Sequence, residues 1–216
     1  MKVYHGSNKI IDTPTYGLGK SNNDYGKGFY MAEDFEIASL WASKYENGGY
    51  VNTYELNLEG LKILNLADSD EKDILRWIAI LTKFRFSFED LLRYKDRIDL
   101  LTKLFPVDLS NIDVVFGYRA DDSYFSYSRD FLANDLSYEI LSSAMKLGKL
   151  GEQIVLISRK SFNQISFLES KNVSYSGDYA RLRKNVSNEY KKLKVSDSDE
   201  NTFIRDILRK YNAKKM

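Results

Sequence analysis

Apolar positions in this chain come in short blocks at first, and then at helical spacing. Val3-Tyr4-His5-Gly6 follows Lys2 as a strand that stops at Gly6. Residues 7–25 are rich in Gly, Ser, Asn, Asp, Thr and Pro and read as an extended loop. Gly28 to Ala32 reads as a strand opened by a glycine turn. From Asp34, a ready N-cap, apolar residues recur at Phe35, Ile37, Ala38, Leu40, Trp41 and Ala42, which predicts a helix that Asn47-Gly48-Gly49 stops. Tyr50 to Asn57 and Leu61 to Leu64 read as strands. Between 70 and 105 the period becomes helical, with a stripe of Ile74, Leu75, Trp77, Ile78 and Leu81. A capping box at Ser87-Phe88-Glu89-Asp90 opens a second helix, which Pro106 closes.

The run Asp113 to Tyr118 predicts a buried strand. Helices follow over about 122–134 and 137–147, then strands at 153–157 and 164–168. After residue 172 the composition shifts. Arg181, Arg183, Lys184, Lys191, Lys192 and Lys194 crowd one segment, and Phe203, Ile204, Ile207, Leu208 and Tyr211 mark an amphipathic helix. The pattern divides into a domain at 1–172, with a helical insertion at 70–105, and a basic, amphipathic helical extension at 173–216. Local Lys/Arg clusters suit phosphates, but a solvated tail is the plainer reading of that extension.

Composition narrows the chemistry. Among 216 residues there is no cysteine and one histidine, which removes disulfides, thiol nucleophiles and thiolate metal sites and argues against a dedicated metal centre. A formal net charge of +1 demands neither nucleic acid nor an anionic membrane as partner. No apolar run approaches the roughly 20 residues that cross a bilayer, and no secretory signal follows Met1-Lys2. The expectation is a soluble, cytoplasmic protein with no membrane contact. The sixteen tyrosines fit an AT-rich coding bias as well as any function.

Candidate chemistry gathers at three stretches. Asp24-Tyr25-Gly26-Lys27-Gly28-Phe29-Tyr30-Met31-Ala32 alone reads as a turn into a core strand. Tyr4-His5-Gly6-Ser7 holds the only histidine, which alone would be a satisfied core-edge residue. Glu152-Gln153-Ile154-Val155 opens a late strand. Together they resemble the His–Tyr–Glu branch of the ADP-ribosyltransferase superfamily, the branch of poly(ADP-ribose) polymerases and diphtheria toxin. The second stretch is the most specific match. A small bacterial family of uncharacterised domains within that superfamily is closer still, through Tyr4-His5-Gly6-Ser7, Asp24 to Tyr30, Ala38 to Trp41-Ala42, Gly117 to Ala120-Asp121-Asp122, and Gln153-Ile154.

The resemblance implies an α+β fold, an ADP-ribosyltransferase-like split antiparallel β-sandwich with flanking helices around a cleft for NAD, used as co-substrate without a metal. It implies a backbone grip on the nicotinamide carboxamide at Gly6, with Ser7, Tyr25 and Gly28 beside the ligand. Tyr30 would stack on one ring face and Trp41 would cover the other. His5 would bind a ribose hydroxyl. Glu152 would bind the nicotinamide-ribose 2′-hydroxyl and stabilise the developing cation. Neighbouring strand residues face opposite sides, so only Glu152 or Gln153 faces the pocket. We expect Glu152. With Gln153 inside, charge would have to come from Asp121 or Asp122. The segment Lys146 to Gly151, with Lys149, would meet the acceptor.

The expected activity is mono-ADP-ribosyl transfer to a macromolecule, nucleic acid ahead of protein, by an intracellular toxin of toxin–antitoxin or phage-defence type with an antitoxin protein as partner. A NAD glycohydrolase and a non-catalytic binding module on the same fold are the alternatives. No Gly-Lys-Ser/Thr phosphate loop, Rossmann strand-to-helix turn or Gly-x-Ser-x-Gly elbow is present.

Overall fold

A computed structural model describes residues 1–216 except 68–69, 121, 148–151 and 215–216, and gives only the backbone of 122–124. Two sheets form its frame. The first is antiparallel, with β1 (Lys2–Ser7), β3 (Gly49–Leu56) and β7 (Ile165–Val173) in the order β1-β3-β7. The second orders β2 (Phe29–Met31), β6 (Glu152–Leu156), β5 (Val114–Tyr118) and β4 (Ile63–Asn65) as β2-β6-β5-β4. Its one parallel pair is β4 with β5; the other neighbours run antiparallel. The protein is thus a mixed α+β fold with two mainly antiparallel sheets.

The sheets meet where Tyr4 and Ala32 exchange both backbone hydrogen bonds, each 2.8 Å. Val3, Phe29, Met31, Tyr54, Leu56, Val114, Ile154 and Leu156 form one buried cluster across that junction. Beyond the second sheet lies a larger core, supplied by α2 (Glu71–Phe84), α4 (Lys95–Leu104), α5 (Asp122–Ala133), α6 (Tyr138–Ala144), α8 (Asp178–Val195) and α9 (Ile204–Ala213).

Four expectations change here. The stripe of α2 is buried as predicted, but it packs with Val115 and Val155 of the central strands, so the 70–105 segment is built into the larger core rather than set apart from it. Trp77 is fully buried and its indole N–H donates to the Tyr118 carbonyl at 3.0 Å. The second helix of the segment is two, α3 (Phe88–Arg93) and α4, because Tyr94 leaves helical geometry (φ −108°, ψ 17°). The C-terminal segment is not a solvated tail. Val186, Tyr190, Ile204, Ile207 and Leu208 are buried, and the Tyr190 ring stacks on Tyr127 at 3.7 Å. The last strand also runs to Val173, beyond the predicted end at 168, by pairing with the full length of β3.

Trp77→Ala empties a fully buried site and leaves a carbonyl with one donor fewer. The expected cost is about 3–5 kcal/mol in urea unfolding; a cost under about 1 kcal/mol would mark the segment as peripheral.

Candidate functional site

The first wall is β1. α1 (Phe35–Ala42) starts at Asp34, whose carboxylate accepts from the Glu36 N–H at 2.7 Å. The helix then lies so close to β1 that a Cβ on Gly6 would fall 2.1 Å from the Ala38 carbonyl oxygen. Gly6 is therefore required first by the helix. Its backbone still serves a cleft. Residues of an antiparallel strand alternate in which neighbour they bond. Tyr4 turns its N–H and C=O to Ala32 rather than to β3. Gly6, two residues on, turns its own to that same edge, where it lines the cleft.

His5 spans the two sheets. Its Nδ1 lies 2.7 Å from the Tyr30 carbonyl oxygen. A carbonyl only accepts, so Nδ1 carries the proton and a neutral ring keeps Nε2 as an acceptor. Burial pushes the imidazole below its ordinary 6.5, and the charges of Arg119 and Lys44 push the same way, against the Tyr30 hydrogen bond. Ser7 is buried and committed: its hydroxyl donates to the Lys9 carbonyl at 2.5 Å and accepts from the Asn52 amide at 3.0 Å, tying down the loop after β1.

The glycine turn does two jobs. Gly26 takes φ +74°, which an L side chain resists. Gly28 packs its α-carbon against β6, where a Cβ would meet Val155 at 2.6 Å, and it also borders the cleft. Tyr30 is half-buried in the cleft wall. Its hydroxyl donates to the Gly26 carbonyl at 2.7 Å and accepts from the Tyr25 N–H at 3.1 Å, locking the ring to the turn that precedes it. Burial raises this phenol's pKa, so it remains protonated. Tyr25 departs from expectation: it is buried in the core, donates to the Tyr118 carbonyl at 3.0 Å, and does not line the cleft.

The third stretch corrects the expected choice. Gln153 is the residue in the cleft. It is buried, and its amide donates to Asp24 Oδ2 at 2.9 Å and to the Tyr118 carbonyl at 3.1 Å. Glu152 faces away, exposed, and borders a second hollow of about 470 Å³ with Glu33, Asp34 and Lys146. Of the expected sources of replacement charge, Asp121 lies outside the described residues and Asp122 is described only in its backbone. Lys149 and Gly151 of the acceptor segment also lie outside them.

Asp24 brings a buried carboxylate to the cleft wall. It accepts from the Ala120 N–H at 2.8 Å as well as from Gln153, and pairs with Arg85 at 3.3 Å. Asp24 heads the second of the three stretches, where the sequence alone assigns it no role. The available signal was an acidic residue directly before a glycine turn that itself carries the most specific motif.

Trp41 stands beside Gly6, where a Cβ on the glycine would fall 2.9 Å from the Trp41 Cβ. Its ring meets Tyr179 of α8 at 5.1 Å between centroids, with the Arg119 guanidinium and the Lys44 ammonium each 4.4 Å from its centre. The whole cleft encloses about 1090 Å³, at the upper end of small-molecule sites. Lys9, Lys20, Lys44, Arg85, Arg119 and Arg183 line it against the carboxylates of Asp12 and Asp24, so it suits an anionic ligand with flat rings. Among the described residues no cluster of side chains could hold a metal ion, and no helix is long and apolar enough to cross a membrane.

The model of one family, described as Protein of unknown function (DUF3990), matches residues 1–167. No curated protein and no solved structure matches.

Because the folded ring resists protonation, the single imidazole should titrate below 6.5 in an NMR pH series. The unfolded chain then takes the proton first. Stability is full above about 6.5 and falls as pH drops towards the folded value, by roughly 1.4 kcal/mol per pH unit in that window. A measured value at or above 6.5 would contradict the buried, neutral assignment.

Proposed function

This chain belongs to the DUF3990 family, and we propose that it is an NAD-dependent ADP-ribosyltransferase that moves ADP-ribose from NAD to a macromolecule. One observation carries the reading. His5, Tyr30 and Gln153, from three separate strands, come together on a single cationic cleft beside the outward backbone edge of Gly6.

Each group has a task. The Gly6 N–H and C=O match the acceptor and donor of a carboxamide. The Tyr30 ring, locked by its hydroxyl, offers a flat wall for nicotinamide. The neutral His5 offers Nε2 to a ribose hydroxyl. Gln153 spends both amide N–H groups on Asp24 and Tyr118, which leaves its carbonyl oxygen as acceptor for another hydroxyl. The basic lining suits the pyrophosphate. In the reaction, the bond between the ribose C1′ and the nicotinamide nitrogen breaks, and both electrons leave with the neutral nicotinamide. An acceptor oxygen or nitrogen then bonds to C1′ and releases its proton to solvent. Positive charge builds on the ribose between these events. Asp24, fixed by Ala120, Gln153 and Arg85, supplies the preorganised negative charge that Glu152 does not. A toxin-type setting in the cell, with a neutralising partner protein, accompanies this reading.

Labelled NAD is incubated with the protein and cellular RNA, DNA or protein. Transfer of label to one of these is expected. Label found only as free ADP-ribose would make the activity glycohydrolysis, and NAD intact in every arm would overturn the reading. Gln153→Ala should lower NAD turnover by about 10²–10³-fold with the fold intact by circular dichroism, and Glu152→Ala should change it by less than about threefold. The reverse order would return the role to Glu152.

A further inference from the structure

The family match stops at residue 167, yet two later side chains, Tyr179 and Arg183, line the cleft. They sit one turn apart at the cleft end of α8, an 18-residue helix. There they complete a compact group with Trp41 and Lys44 from the end of α1 and with Arg119 beyond β5. Trp41 and Tyr179 are in ring contact, and Lys44 and Arg119 approach the Trp41 ring at 4.4 Å. Lys44 and Arg183 each lie 5.9 Å from the centre of the Tyr179 ring. Three cations around two aromatic rings, in a chain whose formal net charge is only +1, form a local feature with one natural complement: a flat base carried on a phosphate.

The helix extends that feature away from the cleft. Tyr179, Arg183, Ser187 and Lys191 follow at i, i+4 spacing and form one inclined row along α8. Lys184 and Lys191 are both exposed, and helical spacing puts them on neighbouring positions of that side. Elsewhere in the segment Arg181 pairs with Asp178, and Lys194 with Asp130 at 2.7 Å. The helix cannot swing free to drop the row. Val186 and Tyr190 are buried under it, and the Ser176 N–H before it donates to the Ser43 carbonyl at 3.1 Å, which fixes the start of α8 to the end of α1. At 1.5 Å per residue, the row from Tyr179 to Lys191 gives a track of roughly 18 Å leading to the aromatic pair.

We infer that α8 and the end of α1 form a binding track for single-stranded nucleic acid, with a base stacked at Trp41–Tyr179 and phosphates along Arg183, Lys184 and Lys191. A single strand fits and a duplex does not, because stacking on a protein ring needs an unpaired base. The track opens into the cleft proposed for NAD. On the transferase reading, the strand bound there is therefore the acceptor, and a nucleotide next to the stacked one reaches the reacting ribose.

The test measures binding first, without NAD. Fluorescence anisotropy follows labelled single-stranded RNA and DNA of roughly 12 nucleotides, and their duplexes, titrated with the whole chain. Salt-dependent binding of a single strand, tighter than of the duplex, is expected, and the tighter of the two sugars identifies the source. Tyr179→Ala should weaken it by about five- to a hundredfold. Lys184→Ala with Lys191→Ala, both on the surface, should lower the slope of log affinity against log salt by about 1.4. Absence of single-strand binding, equal binding of duplex, or binding that these variants leave unchanged would overturn the inference. Label passing from NAD only to protein would do the same. NAD turnover on the same preparation separates the two proposals. A strand bound with NAD intact leaves the track standing without the transferase, and NAD consumed with no strand bound leaves the reverse.

Discussion

The Tyr118 carbonyl holds the site together. It is the last residue of β5, and three buried donors converge on its oxygen: the Tyr25 hydroxyl, the Trp77 indole and the Gln153 amide. These come from the glycine turn, the helical segment and β6, the parts that must agree in position for a cleft to exist. Two residues later the Ala120 N–H takes Asp24. A buried donor left without a partner costs about 1–3 kcal/mol, so shifting any one of these parts leaves several polar groups unsatisfied at once. Gly117 makes the arrangement possible, since a Cβ there would lie 2.2 Å from the Tyr25 oxygen.

This geometry also explains what was legible in the sequence. Elements with clear periodicity or end signals were found, among them the α2 stripe, the Ser87 N-cap of α3 and the run at 114–118. The three motifs were placed on their strands. The facing of residue 152 against 153 was not legible, for a physical reason. β6 lies between β2 and β5, and Ile154, Val155 and Leu156 are all buried. A strand covered on both faces shows no alternation, so its pattern carries no parity to extend back to its first two residues. The fate of Tyr25 was hidden because a tyrosine before a glycine turn serves equally in a core or at a ligand. The second role of Gly6, accommodating α1, depends on a helix packing that no local pattern encodes.

Two segments outside the three motif stretches help to build the cleft. The helical segment at 70–105 contributes Arg85, at the end of α2, as the partner of Asp24. The C-terminal helices contribute Tyr179 and Arg183. Both additions bring positive charge to an otherwise neutral chain, which concentrates a field where the two sheets part.

The strand order has a consequence in time. β1 carries His5 and Gly6, but its only neighbour in its own sheet is β3, and two strands alone make a marginal ribbon in water. β7, at residues 165–173, converts that ribbon into a sheet. During synthesis the stretch that carries His5 and Gly6 therefore waits until β7 has emerged, roughly ten to thirty seconds at ordinary rates. The wall that carries the histidine becomes part of a three-stranded sheet only once β7 has been made.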